Sequence, residues 1–194
     1  YFVPTSTGAT ELADLARQGV QVRVLTNSYA ATDVGLVHSG YVPSRKGLLE
    51  GGVKLFEMPA PDDKPKTAAK YVRSTSPNAR YFRDEGRSLH AKVIGVDDRQ
   101  VYIGSANFDP RSAYLNTELG FLIESPDLAK ALCQSFDQDI AQNVYCLSLS
   151  PEGELRWTDA RDDEPELETP EPGTTVFSRA LSTFLSKLPI ERYL

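Results

Sequence analysis

The sequence predicts an α/β fold: a mixed, largely parallel sheet flanked by helices, followed by a small C-terminal hairpin and an amphipathic helix. Three observations predict it. Strand-like and helix-like stretches alternate with short joints over residues 1–58, a tightly alternating pair of runs spans 89–104, and an Ala- and Leu-rich helical stretch covers 126–143. Strand–helix–strand with short joints favours parallel pairing, because parallel strands need a crossover.

Each element follows from its residues. Apolar Tyr1–Val3 stops at Pro4, and Ser6-Thr7-Gly8 opens a helix whose Leu12, Leu15 and Ala16 share a face; Gly19 suits its C-cap. Val20–Leu25 is short and β-branched, the profile of a buried strand. A helical region runs from about Asp33 to Glu50, interrupted near Pro43, and Gly51-Gly52 closes it before a strand at Val53–Met58. Four prolines break any regular element between Pro59 and Gly86. Leu89–Val96 and Val101–Gly104 flank the turn Asp97–Gln100, and Glu118–Ile123 makes a further strand. Val144–Ser150 and Glu154–Trp157 form a hairpin around Pro151-Glu152-Gly153. Residues 159–172 hold ten acidic or proline positions, which predicts an extended, solvated connector. The last helix carries Phe177, Ala180, Leu181, Phe184 and Leu188 at helical spacing; its stripe is expected to pack on the body, with a bilayer interface as the alternative. The expected organisation is a unit over 1–143 and a second segment, 144–194, of hairpin, acidic connector and amphipathic helix.

The chain has 194 residues and a formal net charge of −6, enough length to fold without a metal or disulfide. Its charge is divided. Residues 1–100 carry 14 basic and 11 acidic groups, whereas residues 101–194 carry 7 and 16. That split opposes a uniformly basic nucleic-acid surface. Within it, residues 64–92 hold eight basic groups against two acidic ones, read either as a solvated loop or as an electropositive rim for an anionic substrate. Two cysteines, Cys133 and Cys146, allow at most one bridge, so there is no disulfide framework and no cysteine metal site. No apolar run approaches the ~18 residues of a spanning helix. The strand-like start at Tyr1 suggests a chain that begins inside a longer protein.

His90, Lys92, Ser105, Asn107 and Glu118 carry the chemistry. His90 and Lys92, two apart on a strand, share a face, and Ser105 and Asn107 do the same if the chain stays extended. An imidazole, an ammonium, a hydroxyl and an amide on one side suit phosphoryl transfer, which needs positioning and neutralisation of phosphate charge. Glu118 is expected to hold the imidazole by its second nitrogen. Asn27 and Ser28 lie just past a strand's C-terminal end, where α/β ligand crevices open, and are candidate substrate-binding residues. His38 reads either as a packed helix-face histidine or as lining of the same cleft.

His90-Ala91-Lys92-Val93-Ile94-Gly95-Val96-Asp97, with Gly104-Ser105-Ala106-Asn107 and Asn116-Thr117-Glu118, resembles the His-x-Lys-x4-Asp and Gly-Ser-x-Asn signatures of the phospholipase D superfamily. Thr26-Asn27-Ser28, Thr32-Asp33-Val34, Val37–Tyr41, Leu48–Val53, Asp109–Ser112 and Leu188–Glu191 are similar to the second half of bacterial cardiolipin-synthase-type members. The resemblance implies a phospholipase D-like half and metal-independent phosphodiester exchange through a phosphohistidine, without a cofactor. His90 would act as general acid and then base, Lys92, Ser105 and Asn107 would bind phosphate, and Asp97 would be structural. That chemistry needs two such motifs and the chain has one. The second would come from the N-terminal half of a parent chain or from a second copy. The expected substrate is a phospholipid reached by peripheral contact with a bacterial membrane, not nucleic acid. Two alternatives stand beside this: a dimeric phosphodiesterase or nuclease of the same superfamily, and a non-catalytic domain that keeps the motif.

Overall fold

The computed structural model describes residues 1–60, 63, 89–162 and 166–186. Most of the basic segment 64–92, the end of the C-terminal helix from Lys187 and the Leu188–Glu191 match lie outside the described residues. Helix α1 (Ser6–Arg17) begins where the Thr5 hydroxyl accepts from the Gly8 amide, and it ends before Gly19, whose φ of 94° only glycine adopts freely. Strand β1 (Arg23–Asn27) follows, then two short helices, α2 (Gly35–Tyr41) and α3 (Ser44–Glu50), split at Pro43 as expected. Strand β2 (Lys54–Met58) lies parallel to β1 in register Arg23↔Lys54 to Asn27↔Met58. A Cβ on Gly51 would stand 2.9 Å from Cα of Ala13, so the close approach of α1 and α3 depends on that glycine.

Strands β3 (Val93–Val96), β4 (Gln100–Gly104) and β5 (Gly120–Glu124) form a separate antiparallel sheet of three. Between β4 and β5 lies α4 (Pro110–Tyr114), and after them α5 (Pro126–Ser135), which runs into a π-helical turn at Phe136–Ile140. Strands β6 (Tyr145–Leu149), β7 (Leu155–Asp159) and β8 (Leu167–Glu168) complete the first sheet, whose order is β1-β2-β6-β7-β8. The last described element is α6 (Val176–Leu185).

The α/β class and the mixed sheet flanked by helices are as expected, but the sheet is not largely parallel. Among the named strands only β1 and β2 pair in parallel; every other pair is antiparallel. The α2–α3 crossover spans that one parallel pair, and short turns such as those within β3–β4 and β6–β7 can only reverse the chain. The hairpin is also not a small appendage. β6 pairs with β2 through Phe56↔Cys146 and Glu57↔Tyr145, and its Tyr145 and Leu147 join Leu48, Val53, Leu55 and Trp157 in the core.

The acidic connector is solvated only in part: Glu166, Leu167, Thr169 and Pro170 are exposed as expected, but its ends are not. Asp159 and Asp162 are buried, and Glu171 reaches the interior. The reason is partnership: Arg161 holds Asp159 at 2.7 Å and Asp63 at 3.1 Å, while Arg45 holds Glu171 at 2.5 Å. Helix α6 is a further correction. Its polar side faces the body, where Ser182 meets Ser39 of α2 at 3.3 Å, while Phe177 and Phe184 are 77% and 62% exposed.

Burial pushes the Glu171 carboxyl up, but the hydrogen bond from His38 and the charge of Arg45 outweigh it and hold it at about 2. The folded state therefore gives up this proton more readily than the unfolded chain. The stabilisation is complete above about pH 4.5 and is lost as pH falls from there toward about 2, by on the order of 3 kcal/mol. Denaturant unfolding across that window should show this loss in the wild type and a flatter dependence in Glu171→Gln.

Candidate active site

The hairpin that carries the motif is built from its turn outward. Asp97 and Asp98 have φ of 51° and 48°, and the Arg99 amide donates to the Val96 carbonyl at 3.0 Å. That left-handed pair matches the twist of a tight hairpin and is tolerated by aspartate better than by most side chains. Asp97 thus sits at the end of β3 remote from His90. At the other end the Gly104 amide donates to the Lys92 carbonyl at 3.1 Å, so the ladder continues one step past β3 and brings Lys92 beside the Gly104–Asn107 segment. Gly104 faces Gly120 across β4 and β5, and a Cβ on either would collide with the ring of Tyr102. The glycine of Gly-Ser-x-Asn therefore has a packing cause.

His90, Lys92, Ser105, Asn107 and Glu118 gather at this end of the small sheet. Lys92 Nζ donates to the His90 carbonyl at 3.0 Å. Burial lowers the ammonium, and the charges of Glu118, Asp109 and Asp33 oppose that shift. Ser105 Oγ donates to Glu118 Oε2 at 2.5 Å and accepts from the Leu119 amide at 3.0 Å. Asn116 donates to the other Glu118 oxygen at 3.0 Å. Glu118 is accordingly held by Ser105 and Asn116 and, among the described residues, makes no hydrogen bond to the imidazole. Those two hydrogen bonds set its carboxyl below the usual range.

Two residues that sequence reasoning did not single out complete the site. Tyr1 stands edge-on to His90, ring centroids 6.0 Å apart, and its hydroxyl donates to Asp33 at 2.9 Å. The Tyr1 main-chain nitrogen donates to Asn107 Oδ1 at 3.2 Å, which leaves the NH2 end of that amide as its donor. The signal that could have found Asp109 is its Asp-Pro pair, an N-cap followed by proline in the first turn of α4; it accepts from the Ser112 amide at 2.7 Å. Nothing local in the sequence marks Tyr1. It arrives through an isolated bridge between Phe2 and Phe108, where the Phe108 amide donates to Tyr1 O at 3.2 Å and the Val3 amide to Phe108 O at 2.7 Å.

The other expected site residues lie elsewhere or have other partners. Ser28 is 1% exposed and its hydroxyl accepts from the Ala31 amide. His38 borders a shallow pocket with Tyr1, Asn27 and Thr32, but its Nε2 is held by Glu171 at 2.9 Å. The Asn27 side chain is joined to the backbone of Leu89. The described residues contain no group of three or more His, Cys, Asp or Glu side chains placed to hold a metal.

Residues 1–140 match the family model described as "Cardiolipin synthase, PLD-like domain". The chain belongs to this phospholipase D-like family. It is 40% identical to Cardiolipin synthase C of Escherichia coli (strain K12) over 191 residues, covering 98% of this chain and 39% of that protein. It is 27% identical over 143 residues to Cardiolipin synthase 1 of Staphylococcus epidermidis, covering 74% of this chain and 24% of that protein. The phospholipase D-like chain thus spans about two fifths or less of these relatives. Its fold is similar to that of Nuc from Salmonella typhimurium, a phospholipase D family member, with a TM-score of 0.51 at 17% identity over 76% of this chain and 78% of that one.

Replacing Ser105 by Ala removes the hydrogen bond that does most to depress Glu118. Its carboxyl should titrate at higher pH in Ser105→Ala than in the wild type, followed by carbon-13 NMR, with Asn116→Ala moving it the same way.

Proposed function

We propose that this chain is the C-terminal half of a metal-independent, cardiolipin-synthase-like phosphatidyltransferase that acts through a phosphohistidine. The supporting observation is the gathering of His90, Lys92, Ser105, Asn107 and Glu118 at one end of β4 and β5. In the first step a histidine of the second motif attacks phosphorus, the phosphoester P–O bond breaks, and His90 gives its proton to the departing alkoxide. In the second, His90 takes a proton from an incoming alcohol, the alcohol oxygen attacks phosphorus, and the P–N bond breaks. With the Ser105 proton committed to Glu118, Lys92 Nζ and the Asn107 NH2 are the donors for the non-bridging oxygens. Ser105 and Glu118 support that pair, Glu118 balancing the Lys92 charge. The second motif comes from an N-terminal half or from a second copy of this chain. The unit over 1–143 carries the chemistry, and 144–194 braces it.

Peripheral membrane contact belongs to this reading. Among the described residues no helix is long and apolar enough to cross a membrane, and α6 instead exposes Val176, Phe177, Leu181 and Phe184. Such a helix can lie at the acyl–headgroup boundary from which a phospholipid is drawn.

Two measurements test the proposal. The protein carrying both motifs should convert phosphatidylglycerol and leave DNA intact, and His90→Ala should abolish conversion; DNA cleavage lost in His90→Ala would make it a nuclease. In liposome flotation, Phe177→Ser with Phe184→Ser should reduce the bound fraction, and equal binding removes α6 as the contact.

A further inference from the structure

Asn27 ends β1 in the larger sheet, and His90 precedes β3 in the smaller one. Between them the Asn27 side chain does the work of a peptide group. Its Nδ2 donates to the Leu89 carbonyl at 3.0 Å, and its Oδ1 accepts from the Leu89 amide at 2.9 Å. Both polar atoms of one backbone residue are thereby paired by one side chain that is only 6% exposed. Leu89 is the residue before His90. Two positions beyond His90, the Lys92 carbonyl is held by the Gly104 amide at 3.1 Å. The short stretch bearing the imidazole is thus pinned on both sides, from β1 by a side chain and from β4 by the backbone.

We propose that Asn27 is a positioning residue for His90 and not a substrate ligand. The inference rests on the reading of His90 as a catalytic group. Only a primary amide on a short stem meets the requirement. An aspartate offers two acceptors and would set a negative charge against the Leu89 carbonyl, a serine is too short to span both groups, and a glutamine carries its amide one methylene past the Leu89 backbone. Asn27 touches no reacting atom in this arrangement. Its effect reaches the phosphate through the place of the His90 backbone, where a shift of about 1 Å can cost on the order of 100-fold in rate.

The test compares Asn27→Asp, Asn27→Ser and His90→Ala in the protein that carries both motifs, with circular dichroism at each pH as the check on folding. Asn27→Asp should lower kcat roughly 10- to 100-fold near pH 8 while KM stays within about two-fold. A protonated carboxyl is again both donor and acceptor, so activity relative to wild type should recover as pH falls from about 8 to about 5.5, toward the raised pKa of a buried aspartate. Asn27→Ser introduces no titrating group and no buried charge. It should lose kcat by a similar factor with a ratio that stays flat over the same range, and it decides the matter if the aspartate variant does not fold. A folded variant with wild-type kcat, or one whose KM rises while kcat is kept, overturns the proposal, the latter by making the amide a substrate ligand. Activity surviving in His90→Ala would instead overturn the reading of His90, which the Asn27 variants do not address.

Discussion

Arg45 is enclosed on α3 and carries a charge that must be answered inside the protein. Glu171 Oε1 accepts from its Nη2 at 2.5 Å, and Glu57 Oε1 lies 2.8 Å away as an ion pair without hydrogen-bond alignment. Its guanidinium carbon stands 4.8 Å from the ring centre of Tyr41 and 5.5 Å from that of Trp157, whose indole donates to the second Glu57 oxygen at 3.0 Å. Burial works against the charge, and the two carboxylates outweigh it and keep Arg45 protonated. Removing one member of such a cluster leaves another uncompensated, at about 3–5 kcal/mol. Five parts of the chain meet here: α2 through His38 and Tyr41, α3, β2, β7, and the strap before α6.

The site depends on this frame at one remove. Glu57 fixes β2, β2 sets the register of β1, and β1 ends at Asn27, with Ser28 just past it. Ser28 donates its amide to the Met58 carbonyl at 3.0 Å, which closes the end of the strand and leaves Asn27 pointing across to Leu89. His38 belongs to the frame as well: its Nε2 joins Glu171, although the residue also borders the pocket beside Tyr1 and Asn27. The chain has two histidines, one inside the ion cluster and one exposed beside Tyr1.

Much of this was legible beforehand. Most of the element order, the break at Pro43 and the turn at Asp97 follow from local rules of spacing, capping and turn chemistry, though α4 and β8 were not expected. Three readings failed for the same reason. The parallel share of the sheet, the solvation of the connector's two ends and the inward stripe of α6 were inferred from each segment's own composition. Composition cannot report that β6 would lie on β2, that Arg45 and Arg161 would draw acidic residues inward, or that serines of α6 and α2 would meet.

The same boundary runs through the site. The sequence by itself determined where the motif residues fall relative to the Asp97 turn, because a hairpin's turn is set within a few residues. Only the tertiary structure decided what each group is bound to: Glu118 by Ser105, His38 by Glu171, Asn27 by the backbone of Leu89, and Tyr1 against His90. Those partners stand 13, 133, 62 and 89 positions apart. Hydrogen bonds are short and directional, so which groups pair depends on where whole sheets and helices come to rest.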